Sequence, residues 1–375
     1  MQRILQVANI MDRGGVETLL MNIYRQIDRS EVQFDFLTHP FSLDYVQEYE
    51  PEILSMGGKV YKAPSFTKHP IQYQKFIRKF YKEHTEYNVI HGHNLDAAAM
   101  VYMREAKKAG RYLIAHSHNI NDRGGIVKKF VLQDSRALIR RYPNHFFACS
   151  DEAARFAFGD TIADSRDCEI LYNGIDTRQY RVDERDHRAM KERLFPNVTG
   201  PVFGNVGRLA DQKNHMFLLD VFAAIKCSAP DAVLCIIGKG GLEEKLKKRS
   251  AELGILSSVH FLGSIPNVPD YLKAFDVFIF PSVYEGLGMA AVEAQAAGLP
   301  TLMSTSVPGL ASCTDLSIPL NLSAGSSVWA DYALRSYTVN EGRRADRAFR
   351  VREAGFDITQ IARDLCDFYD AHICK

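Results

Sequence analysis

The sequence predicts an α/β protein of two doubly wound parallel sheets facing a central cleft, with a last helix that crosses back to the first domain. Three observations carry that expectation. Short β-prone runs alternate with helical segments from end to end, as successive strand-helix units do in a parallel sheet. The alternation pauses at Asn173-Gly174 and the polar stretch 177–188, the best linker in the chain. A chain of 375 residues is also long enough for two domains that each bury a core. The expected division sets residues 1–174, with the terminal helix 357–375, against residues 175–356.

In the first half, strands are expected at 4–10, 32–37, 59–63, 89–93, 112–116, 145–149 and 169–172. Gly14-Gly15 stands between the first strand and its helix, where missing side chains would let a substrate approach the backbone. A tight turn with no ligand explains the pair about as well. The segment 69–84 interleaves Tyr73, Phe76, Ile77, Phe80 and Tyr81 with Lys75, Arg78, Lys79 and Lys82. Such a helix either packs its aromatic face on the sheet, the simpler reading, or lies on anionic lipid. The segment 126–142, with Lys128, Lys129, Arg136, Arg140 and Arg141, could likewise meet lipid or an acceptor's diphosphate. The terminal helix, about 358–372, carries Ile361, Leu365, Phe368 and Tyr369 on one face.

The second half repeats the alternation with strands at 202–207, 232–238, 259–262, 277–280 and 301–303. Its most informative stretch is 277–300: a β-prone run broken by Pro281-Ser282, a glycine-interrupted loop, then an alanine-rich helix ending near Gly298. In an open α/β sheet that loop lies at the carboxyl end of a strand, where ligands bind. The helix opening near Gly288 and Met289 points unpaired amides at any phosphate placed there. Glu285 in the loop and Glu293 one turn inside the helix bracket the same opening, and carboxylates accept hydrogen bonds from vicinal sugar hydroxyls.

The first turn of this half, Gly204 through Asn214, holds Arg208 and Lys213, a pair of cations that could clamp a diphosphate. Gly238 opens Gly238-Lys239-Gly240-Gly241, a tight turn that lets backbone pass close to a nucleotide. No Gly-Lys-Ser/Thr follows in frame, so this is not a triphosphatase loop. His91-Gly92-His93 and His116-Ser117-His118 each close a strand, and four imidazoles there could build a zinc site. The remaining ligands of a metal-dependent hydrolase are missing after Asp96, so no metal site is expected.

Glu285-Gly-Leu-Gly-Met-Ala-Ala-Val-Glu293 resembles the two-glutamate signature of family-4 retaining glycosyltransferases, which have two Rossmann-like domains in the GT-B arrangement. The resemblance extends to Gly14-Gly15, the His116 strand end, Asn173-Gly174, and Arg208 with Lys213. It implies that Glu285 contacts the donor sugar and Glu293 the ribose, that Arg208 and Lys213 hold the β-phosphate, and that His116 faces the sugar. The implied catalytic set is His116, Glu285, Arg208 and Lys213; Gly14, Gly15, Gly238, Gly288, Met289 and Glu293 bind substrate. The segment 261–268 resembles the part lining the base pocket. Gly14-Gly15-Val16-Glu17 and His116-Ser117-His118-Asn119 look closest to members that build bacterial exopolysaccharide or capsule on a lipid carrier. The stretch after Thr301 matches no donor-specific residue, so the donor sugar stays open.

The implied reaction is retaining hexose transfer from a nucleotide sugar, a UDP sugar foremost, to a lipid-linked or growing glycan. The first domain would bind acceptor and the second donor. No Asp-x-Asp pair occurs, so no cofactor beyond the donor is expected. The alternatives are a nucleotide-sugar epimerase of the same fold and a non-catalytic sugar-nucleotide-binding partner. A net charge of +1 argues neither for nor against a nucleic-acid or membrane partner, the transferase reading expects no nucleic acid, and seven cysteines without a CxxC pair suit reduced thiols and a cytoplasmic site. No run approaches the roughly 18 apolar residues of a membrane span, so membrane contact would be peripheral.

Overall fold

A computed structural model describes residues 1–12, 14–118 and 139–373. The chain forms two compact units, Met1–Gly174 with Ile358–Lys375, and Ile175–Asp357.

The first unit holds seven strands: β1 (Gln2–Val7), β2 (Val32–Thr38), β3 (Val60–Lys62), β4 (Val89–Gly92), β5 (Tyr112–Ser117), β6 (His145–Ala148) and β7 (Cys168–Ile170). They lie side by side in the order β3-β2-β1-β4-β5-β6-β7, every neighbouring pair parallel. The order reverses between β1 and β4, which makes their carboxyl ends the switch point where such sheets open a crevice. Both faces are covered at the centre of the sheet, so β2 is buried along its whole length, polar Gln33 and Asp35 included. One face packs Tyr73, Ile77, Phe80 and Tyr81 of the helix Pro70–Glu83. The other packs Ile358, Ile361, Leu365 and Tyr369 of the terminal helix Ile358–Ile373.

The second unit holds β8 (Val202–Val206), β9 (Val233–Ile237), β10 (Val259–Gly263), β11 (Val277–Phe280), β12 (Thr301–Ser304) and β13 (Ser317–Leu320), in the order β10-β9-β8-β11-β12-β13. All pairs are again parallel, and the switch point falls between β8 and β11.

The two-sheet expectation holds, with three local corrections. Strand β13 is absent from the sequence reading: its four residues include Pro319, which a sheet tolerates only because β13 is an edge. The first strand ends at Val7 rather than running to Ile10. The polar stretch 177–188 is ordered, as the 3-10 turn Thr177–Tyr180 and the start of the helix Glu184–Leu194. That helix opens with a reciprocal capping box, the Asp183 carboxylate accepting from the Asp186 amide and Asp186 from the Asp183 amide. The box was hidden because aspartate, not glutamate, stands at its third position. In the helix Pro70–Glu83 the aromatic face is core, while Lys75, Lys79 and Lys82 remain exposed. Most of the basic segment 126–142 lies outside the described residues; within it Arg140 donates to the Ala157 carbonyl.

Candidate functional site

Most of the candidate residues converge at the switch point of the second unit. After β8 the chain passes Gly207 and Arg208, makes the 3-10 turn Asp211–Lys213, and enters the helix His215–Ser228 through Asn214 at φ 54°. After β11 it forms the loop 281–288 and enters the helix Met289–Ala296. Because β8 and β11 are neighbours, the two loops meet. The Val283 amide donates to the Gln212 carbonyl at 2.8 Å, and Gln212 Nε2 donates to the Tyr284 carbonyl at 3.0 Å. Lys213 Nζ donates to Glu285 Oε1 at 2.7 Å and lies 4.6 Å from the centroid of the Phe280 ring. A half-desolvated ammonium is thereby held by a carboxylate on one side and a π face on the other. The pair is well shielded, with side-chain exposures of 16% and 8%. Arg208 is exposed and makes no ion pair among the described residues, so its charge is available to an incoming anion.

Two glycines shape the backbone here. Gly288 caps the helix Met289–Ala296 at φ 86°, a left-handed conformation that only glycine adopts freely, and a Cβ there would come within 2.8 Å of Val307 Cγ1. Among the described residues no side chain caps this helix, so its first amides have no side-chain partner. Gly238, at φ 141°, sits where a Cβ would overlap the Gly207 carbonyl, so the turns after β8 and β9 pack backbone against backbone.

Glu293 lies one helical turn inside. Burial pushes its carboxyl up to about 7, while a hydrogen bond from Tyr180 and the charge of Lys213 pull it down. Tyr180 belongs to the stretch read as linker, and no sequence signal marked it. Gln212 and Phe280 also contribute, and both lie within the informative runs 204–214 and 277–300, but neither residue type by itself signals a role there.

The first unit carries the others. Gly14 caps the helix Gly15–Gln26 in an extended conformation, and a Cβ on it would overlap the Glu17 carboxylate, so an acidic group already stands at this helix end. His116 lies inside β5 at 1% exposure, and neither of its ring nitrogens has a partner. His118, one residue beyond the strand, is partly exposed, with Nε2 3.0 Å from His93 Nδ1. The parallel register of β4 and β5 brings His91 and His93 beside this pair, rings of His91 and His116 stacking at 5.3 Å between centroids.

Two parallel-sheet α/β units, with paired cation and carboxylate at the switch point of the second, define a GT-B glycosyltransferase. Residues 13–179 match Glycosyltransferase Family 4 and residues 186–314 match Glycosyl transferases group 1. The chain is 32% identical over 379 residues to the protein of Bacillus subtilis (strain 168) named as glycosyltransferase EpsF, covering 98% of this chain and 96% of that one. It is 30% identical over 160 residues to the UDP-Gal:alpha-D-GlcNAc-diphosphoundecaprenol alpha-1,3-galactosyltransferase of Escherichia coli, 41% of each chain. Among solved structures, Anabaena Alr3699/HepE in complex with UDP and glucose superposes at TM-score 0.78 with 20% identity, over 99% of this chain and 100% of that one. WaaG, a glycosyltransferase involved in lipopolysaccharide biosynthesis, superposes at 0.73 with 16% identity, over 97% and 99%. The chain belongs to glycosyltransferase family 4.

Proposed function

We propose that this glycosyltransferase moves a hexose from a UDP sugar to a lipid-linked or growing glycan in bacterial exopolysaccharide or capsule synthesis, with retention and without a metal at the diphosphate. The observation that carries the reading is the Lys213–Glu285 pair beside an uncapped helix end at the switch point of the donor unit. Arg208, Lys213 and the amides near Gly288 and Met289 bind the diphosphate and stabilise the charge that grows on it as the glycosyl bond breaks. Lys213 is already oriented by Glu285, so little reorganisation is needed at that moment. Glu285 accepts hydrogen bonds from the sugar and Glu293 from the ribose; Gly238 lets the nucleotide lie close to the backbone. The departing phosphate takes the acceptor's proton on the same face. Gly14 and Gly15 in the first unit receive the acceptor.

Uridine is favoured because a neighbour of the same fold is solved with UDP and glucose, and a lipid-linked acceptor because the Escherichia coli relative is named for one. Among the described residues no helix is long and apolar enough to cross a membrane. The enzyme reaches such an acceptor peripherally, with Lys75 and Lys82 turned to solvent where anionic headgroups can meet them. Calorimetric titration against nucleotide sugars, with UDP and GDP as references, tests the donor. Tighter binding of GDP than UDP overturns the uridine assignment.

A further inference from the structure

The first unit buries a cluster of imidazoles whose hydrogen bonding is incomplete. His91, His93 and His116 each offer a ring nitrogen, and the three nitrogens lie within 4.8 Å of one another. His91 Nε2 and both nitrogens of His116 are buried without a partner. An orphaned buried polar atom costs about 1–3 kcal/mol, so three in one place call for an occupant.

The hydrogen bonds that do exist orient the rings. Gln6, on β1, bridges two of them: its Nε2 donates to the Tyr369 hydroxyl at 3.2 Å, and its Oε1 lies 2.8 Å from His93 Nε2. An amide oxygen only accepts, so His93 carries its proton on Nε2 and keeps a lone pair on Nδ1, which a cation would take over from its present partner, His118 Nε2 at 3.0 Å. The Tyr369 hydroxyl sits 2.7 Å from His91 Nδ1, leaving Nε2 toward the cluster. This is the outer-shell pattern of metal-ligating histidines, in which the far nitrogen is fixed by a polar partner.

We propose that His91, His93 and His116 bind a divalent d-block cation, zinc foremost, as a structural site at the carboxyl ends of β4 and β5. Three imidazoles and, among the described residues, no carboxylate suit zinc, cobalt, nickel or copper rather than magnesium or calcium. Zinc–nitrogen bonds of about 2.0–2.1 Å require the rings to draw together somewhat, and His118 stands alongside His93 as the nearest further imidazole.

The test uses the full chain, stripped with a chelator and offered zinc alone. Bound zinc is measured by elemental analysis after gel filtration, and Co2+ substitution is read by its visible absorption. Roughly one equivalent is expected in the natural chain and in a His69→Asn control, whose side chain is exposed. His91→Asn with His93→Asn should abolish uptake, and Gln6→Leu should weaken it by about 10–100-fold. Circular dichroism and melting of the stripped proteins separate lost ligands from lost fold. A natural chain that takes up no zinc overturns the proposal whatever the variants do, and so does unchanged uptake by the folded double variant. The measurement needs neither donor nor acceptor, so it stands apart from the transfer reaction.

Discussion

Lys213 and Glu285 satisfy each other before any substrate arrives, at 2.7 Å and largely shielded from water. Removing either loses a preorganised group at a developing anion, so Lys213→Ala and Glu285→Ala should each lower kcat/KM by at least about 10²-fold. Near-normal turnover in either variant would end the assignment. Glu293 makes a different prediction, in pH. Its folded pKa, about 7, stands above the ordinary 4.5, so the fold favours the protonated form. The stability this group contributes is full below 4.5, is lost as pH rises toward 7, and is absent above it. Glu293→Gln should therefore melt increasingly above the natural chain between about pH 5 and about pH 8. A melting difference that is flat with pH, or that shrinks, contradicts the burial argument. At this scale the sequence named Arg208, Lys213, Glu285 and Glu293 from residue type and spacing. It could not pair Lys213 with Glu285, 72 positions away, or find Tyr180, because those contacts depend on which strands are neighbours.

At the scale of elements, the helix Met289–Ala296 begins where Gly288 turns left-handed under Val307. Gly288→Ala forces a Cβ into that conformation at a cost of about 1–2 kcal/mol and pushes the helix end off the diphosphate. Weaker UDP binding with a modest fall in melting temperature is the expected result; unchanged affinity would remove the helix end from the site. A second element is held by one side chain. Arg344 is buried and donates to the carbonyls of Gly298 at 2.8 Å, Lys273 at 3.3 Å and Phe275, joining the end of one helix to the start of β11. Arg344→Met takes its donor from each of those carbonyls, leaving among the described residues only His187 Nδ1 on that of Lys273, and should cost about 3 kcal/mol, read as a lowered urea midpoint with circular dichroism unchanged in native buffer. Its role was invisible in the sequence, where it sits in an exposed-looking Gly-Arg-Arg run.

For the whole molecule, the terminal helix Ile358–Ile373 completes the first unit although 183 residues of the second unit intervene. Ile358, Ile361, Leu365 and Tyr369 are buried there, and Tyr369 joins the hydrogen bonds of Gln6 and His91. At about 1.5–3 kcal/mol for each large apolar side chain, this burial is comparable to the whole stability of a domain. Ending the chain after Asp357 should leave the first unit unfolded or aggregated, seen as loss of its melting transition in calorimetry. A soluble, cooperatively melting truncation would show that the helix is dispensable.

Two parallel α/β units and, among the described residues, twelve of the thirteen strands were decided by the sequence itself, because hydrophobic period and turn chemistry are local properties. Strand order is not local. Only the tertiary structure set β8 beside β11, which closes Lys213 on Glu285, and β4 beside β5, which stacks His91 on His116 and brings the tilted ring of His93 alongside. The pairings with distant partners, and the burial that raises Glu293, exist once the sheets have formed and not before.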